Sequence, residues 1–194
     1  MINIEYPYKI IKLAQEYFPN EFNALAIGNK IGEGTSGVVH EYNSHVIKIS
    51  IISDKVTFNS LSDKFNYLID EKSITPFAKL INYKLFGRIP NSNLEMYYYV
   101  MEKLEPLSED EVKVFHTILS HEFFNKTKQY TPAQLNDVLN NLSRGLDFDK
   151  DEVTFFYNQV KNHPIQHMDV HCTNIMKKQQ QFKLIDFDYL EWRK

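Results

Sequence analysis

A chain of 194 residues that is 43% apolar and 14% aromatic can bury one sizeable core or two smaller ones, and it is too apolar to stay disordered. Its net charge of −3 lacks the basic excess of a broad nucleic-acid binder; its single cysteine excludes an internal disulfide or a multi-cysteine zinc site and fits a reducing compartment. The opening "MINIEYPYKI" carries no signal-peptide pattern, and no run approaches the roughly 18 apolar residues of a membrane span, so the expectation is a cytoplasmic protein with neither a nucleic-acid nor a membrane partner.

Residues 8–18 set Ile10, Ala14 and Tyr17 at helical spacing, which predicts a short first helix. From about 26 to 52 the chain is rich in Gly, Val and Ile and reads as two or three strands with a glycine turn. Phe58, Leu61, Phe65, Leu68 and Ile69 then mark an amphipathic helix over roughly 57–72. "FAKLINYKLFG" and "LEMYYYVME" read as strands joined by the turn "IPNSN". After residue 107 the pattern is helical. Ser108 and Glu111 form a capping-box pattern before Val112, Phe115 and Leu119, and Thr131, Pro132 and Gln134 form another before Leu135, Val138, Leu139 and Leu142. A third helix, with Val153, Phe156, Tyr157 and Val160 on one face, should stop before Pro164. Short strands around "IM" and "FKLIDF" follow, with "KKQQQ" as the turn between them. The first half is mostly sheet and the second mostly helix, which predicts an α+β fold of two lobes joined near residue 103 with a cleft between them.

Four stretches could carry chemistry. "GEGTSGVV" places Gly32, Gly34, Gly37 and Val39 in a G-x-G-x-x-G-x-V pattern, whose amides could face phosphate oxygens or merely form a hairpin. Lys48 stands among Val46, Ile47 and Ile49 on a strand that reads as buried, where an ammonium needs an anionic partner; an edge-strand lysine facing water is the plainer reading. Glu71, at the margin of the apolar stripe near the end of the amphipathic helix, is a candidate partner or an ordinary exposed glutamate. "HMDVHCTN" at 167–174 allows a metal site, a Cys172 nucleophile, or a loop that delivers a carboxylate to a substrate.

Taken in order, these stretches and "IDFD" at 185–188 resemble the protein-kinase-like superfamily: a Gly-rich loop, a strand lysine, a helix glutamate, an H-x-D-x-x-x-x-N loop and a D-F-G-like segment. The resemblance spans about residues 26–190. It implies a bilobal kinase-like fold: a helical extension at 1–25, a β-rich N-lobe at 26–103 and a reduced helical C-lobe at 104–194. It further implies an ATP- and Mg²⁺-dependent transfer to a hydroxyl, most simply Ser or Thr of a protein substrate. Asp169 would then receive or orient the hydroxyl proton, Asn174 and Asp186 would hold Mg²⁺, and Lys48, braced by Glu71, would neutralise the α- and β-phosphates. Met101 would be the gatekeeper, and Glu102 to Leu104 the linker whose backbone meets adenine. His167 would be a structural hydrogen-bonding residue.

The chain departs from that family at Met168, where regulated kinases carry Arg, at His171, where they carry Lys, and at Asp188, where they carry Gly. His171 and "IDFD" are closer to aminoglycoside and choline phosphotransferases, so a small-molecule acceptor is the first alternative; a catalytically silent binding module is the second. Only "FDYLEWRK" follows Asp186, so no activation segment is expected. In this the chain is similar to the minimal kinases of bacterial effectors and phages, which implies the cytoplasm of the producing cell or its host, and room for an activating protein partner. Tyr189, Leu190 and Trp192 are expected to cap the shortened core.

Overall fold

The computed structural model describes residues 8–34, 36–120 and 130–193, an α+β chain divided into two compact units. The first unit comprises Met1–Lys72 and Lys79–Lys103, and the second Ser73–Ala78 and Leu104–Lys194.

The first unit is built on a five-stranded antiparallel sheet of β1 (Lys30–Glu33), β2 (Gly37–Tyr42), β3 (His45–Ile52), β4 (Leu80–Arg88) and β5 (Glu95–Glu102), in the order β1-β2-β3-β5-β4. Both of its faces are covered. Helices α1 (Tyr8–Tyr17) and α2 (Pro19–Asn23) bring Ile10, Ala14 and Phe22 into one cluster with Val38, Ile47, Ile49, Met96, Tyr98 and Val100. The stretch read as an N-terminal extension therefore supplies part of this unit's core. Its second helix was not anticipated, because five residues are too few to show a period; the one signal is Pro19 at the start with Glu21 in the first turn.

Helix α3 (Lys55–Asp70) packs against the opposite face of the sheet, where the rings of Phe58 and Phe65 meet Tyr83, Tyr97 and Tyr99 at centroid distances of 5.0–6.4 Å. It begins earlier than its apolar stripe because Asp54 caps it, accepting from Thr57 N–H at 2.8 Å. Lys64 is buried on this helix, its Nζ donating to Ser60 O at 2.7 Å, whereas Ile69 lies 38% exposed just off the stripe. A strand covered on both sides loses the alternation of a half-buried one, and Val46 through Ser50 are all buried.

The second unit contains α4 (Glu109–Ser120), α5 (Pro132–Leu142) and α6 (Lys150–Asn162). Both expected capping boxes form: Ser108 N–H donates to Glu111 Oε2 at 2.6 Å while Glu111 N–H returns to Ser108 Oγ, and Thr131 and Gln134 do the same. Helix α6 starts at its Asp149 cap and stops at His163, ahead of Pro164. Phe115, Phe156 and Phe182 meet edge-on in the core. Val112, expected there, is 39% exposed, because the buried face of α4 runs through Val114, Phe115 and Ile118.

Four short strands complete this unit: β6 (Ile165–His167) pairs with β9 (Leu190–Trp192), and β7 (Ile175–Lys178) pairs with β8 (Gln181–Leu184). The β7–β8 turn falls at Gln179 and Gln180, inside the expected "KKQQQ". Phe77 and Ala78 were expected to open the strand "FAKLINYKLFG", but they bond to Leu184 of β8, so that β4 begins only at Leu80. The C-terminal capping expectation needs correction. Leu190 is buried, but Tyr189 and Trp192 are 42% and 44% exposed, Trp192 although it pairs with buried Ile165 at the end of the ribbon. Among the described residues no helix is long and apolar enough to cross a membrane.

Candidate functional site

In the first unit the β2–β3 register sets Val39 opposite Lys48 and Gly37 opposite Ser50. Lys48 is 3% exposed, on the sheet face that carries Tyr97 and Tyr99. Its side chain runs back over Gly37: a Cβ there would stand 2.7 Å from Lys48 Cε, 2.5 Å from Ser50 Oγ and 2.8 Å from Ile49 O. Gly37 is thus required by the lysine beside it. Gly34 is different, since a Cβ on it would meet nothing within 4 Å; its N–H donates to Gly37 O at 2.9 Å and closes the hairpin. Gly32 pairs with Val39 across the β1–β2 ladder.

Glu71 is half-buried and follows α3 as its cap, with an extended backbone (φ −68°, ψ 119°) and its N–H on Tyr67 O at 3.0 Å. It was expected on the helix itself; the helical hydrogen bonding ends with that bond. Met101 is buried on β5. Glu102 N–H, a candidate donor for adenine, already donates to Lys79 O at 3.0 Å, while Glu102 Oε1 accepts from Lys79 N–H at 2.7 Å. Leu104 is half-buried and opens the main segment of the second unit.

In the second unit the β7–β8 hairpin draws the loop and the D-F-G-like segment together. Its register pairs Ile175 with Leu184, and Ile185 N–H continues the ladder to Asn174 O at 2.9 Å. Asn174 and Asp186 therefore flank one end of the hairpin. Asn174 is 7% exposed, and its Nδ2 donates to Asp169 O at 2.9 Å. That bond fixes the amide orientation and leaves Oδ1 as the atom able to meet a cation. The same Nδ2 faces His171 Nε2 at 3.1 Å, so this nitrogen accepts and Nδ1–H donates to Thr173 Oγ1. Asp169 Oδ2 stands 3.4 Å from His171 Nε2, and both side chains are partly exposed.

His167 has the structural role expected of it. Its Nε2–H is shared between Ile185 O at 2.9 Å and Asp186 O at 2.7 Å, and its Nδ1 accepts from Asp169 N–H at 3.1 Å. Carbonyls only accept, so the ring is the neutral Nε2–H tautomer. Burial lowers its pKa below the ordinary 6.5, with the two carbonyl contacts working the other way. This grip bears on Asp186, whose backbone is left-handed at φ 64°, ψ 71°. Such a conformation costs a non-glycine residue about 1–2 kcal/mol and persists only where neighbours impose it. Here the neighbours are His167 on one side and Phe187 on the other, fully buried with its ring 6.1 Å from Phe77.

Asn174 Oδ1 and a carboxylate are hard oxygen donors suited to Mg²⁺, and too few to hold it without further ligands such as phosphate. Among the described residues no group of three or more His, Cys, Asp or Glu could hold a metal ion. Thr173, which fixes the His171 ring, was not singled out from the sequence; its place two residues after that histidine was the only signal.

No protein-family model matches the chain, and no curated protein matches it either. What the chain does has to be read from its own side chains.

Proposed function

We propose that the chain is a bilobal, kinase-like phosphotransferase that moves the γ-phosphate of ATP to a hydroxyl, most simply a Ser or Thr of a protein. One observation carries this reading: Asp169, Asn174 and Asp186 are bound into a single hydrogen-bonded network, with the third held in a costly backbone conformation. Backbone strain at an acidic residue, one position past the Ile185–Asn174 ladder bond, is the kind of feature that clusters at ligand sites. The lysine–glycine packing in the first unit supports the same reading from a second place.

In this scheme ATP with Mg²⁺ supplies the phosphoryl group, an electrophile that needs little covalent help from a protein. Asp169, partly exposed and so open to an acceptor, orients the hydroxyl and takes its proton. Asn174 Oδ1 and the Asp186 carboxylate would hold the cation, which would offset phosphate charge. Lys48, braced by Glu71, offsets phosphate charge; the amides around Gly32, Gly34 and Gly37 and the side chain of Val39 line the nucleotide, with Met101 and the Glu102–Leu104 backbone toward adenine. Both units must take part.

The test is transfer of label from γ-labelled ATP, with Asp169→Asn and Asp186→Asn as variants that keep shape and remove charge. Loss of transfer in both supports the scheme, since a positioned general base contributes about 10²–10⁴-fold. Equal labelling by wild type and both variants removes the assignment.

A further inference from the structure

The β6–β9 ribbon has one face in the core and one outside. Its register sets Gln166 opposite Glu191 and His167 opposite Leu190, and Met168 N–H extends it to Tyr189 O at 2.8 Å. This pairing and the exposures divide the residues. His167 and Leu190 are buried, while Gln166, Met168, Tyr189 and Glu191 share the other face, where Met168 is 38% and Tyr189 42% exposed. Gln166 Nε2 lies 2.9 Å from Met168 Sδ. A thioether and an aromatic ring thus sit opposed in the open, and Met168 immediately precedes Asp169. Each keeps more than a third of its surface open, and such adaptable apolar pairs suit a surface that takes a partner.

The charged side chains of the ribbon's own segments have one sign. Residues 165–169 and 186–192 contain Asp169, Asp186, Asp188 and Glu191, and no Lys or Arg. Arg193, next in the chain, is turned to α6, donating to His163 O at 3.1 Å and Val160 O at 2.9 Å. Glu191 is exposed and forms no ion pair among the described residues. An acidic or already phosphorylated segment would be repelled here, and a small polycation would gain nothing from Met168 and Tyr189.

We propose that this outward face docks the acceptor segment of a protein substrate, seating an apolar side chain on Met168 and Tyr189 and a Lys or Arg against Glu191, with the acceptor Ser or Thr beside Asp169. The proposal rests on the phosphotransferase reading and names its substrate class. A fluorescent peptide with one Ser, a Leu next to it and an Arg beyond is the probe, read by anisotropy and, separately, by phosphate transfer. Tyr189→Ser should weaken peptide binding about tenfold, the scale of one lost apolar anchor. Glu191→Lys, at an exposed position, should reverse the preference from the Arg peptide to one with Glu in its place, and labelled ATP should bind both variants as it binds wild type. If wild type phosphorylates the peptide while both variants bind it equally well, the docking surface is wrong and the phosphotransferase reading stands. If wild type neither binds ATP nor transfers phosphate to any acceptor, the underlying reading fails and this role for the ribbon fails with it. Transfer to a small amino sugar without peptide binding also overturns it.

Discussion

Gly37 on β2 lies so close to Lys48 on β3 that a single added carbon would stand 2.7 Å from the lysine Cε and 2.8 Å from Ile49 O. The backbone oxygen cannot easily withdraw from a ladder. Gly37→Ala is therefore expected to lower stability by about 1–3 kcal/mol, the usual range for overpacking, and to displace the ammonium. Gly34→Ala, with open space around it, should change stability by no more than a few tenths. Urea unfolding of the two variants side by side checks the contrast; on the proposed reading, nucleotide affinity should also fall in the first.

Asp186 separates a backbone effect from a chemical one. Asp186→Ala removes a side chain that tolerates the left-handed region and should cost about 1 kcal/mol; Asp186→Gly relieves the strain and should melt at or above the wild-type temperature. Asp186→Asn should fold normally. On the proposed phosphotransferase reading all three should fail to transfer phosphate, so melting and transfer, measured together, separate the two roles.

The neutral His167 predicts a definite acid response. Its folded pKa lies below the ordinary 6.5, so between the two values the unfolded chain holds more protons than the native one. Its contribution is complete above about pH 6.5 and declines as pH falls through the window beneath it. Denaturant unfolding at a series of pH values should show this decline, and His167→Asn should flatten it while lowering stability throughout.

Glu111 adds a second limb. Burial works to raise its pKa, but Ser108 N–H and Lys177 Nζ, at 2.6 and 2.9 Å, outweigh that and hold it below the ordinary 4.5. Its stabilisation is present above about 4.5 and is lost as pH falls through the lowered value. Glu111→Gln keeps the cap and leaves Lys177 without its counter-charge, which should cost about 1–3 kcal/mol by thermal melting and remove that lower limb.

What the amino-acid order determined is local. Caps act over three residues, so Ser108 with Glu111 and Thr131 with Gln134 were legible, as was the end of α6 ahead of Pro164. The residue types and order of Lys48, Asp169, Asn174 and Asp186 were legible too. Tertiary structure decided everything that depends on a partner far along the chain. Phe77 and Ala78 joined Leu184 rather than β4; β3 was covered on both faces, burying Lys48; and β9 paired with β6, turning Leu190 inward while Tyr189 stayed exposed. The strain at Asp186 is of this second kind, because it needs His167 and Phe187 to hold a bend that the local residues would not adopt alone. Hydrogen bonds within a turn are encoded by neighbours, while burial and strain belong to surfaces that meet only once the chain has folded.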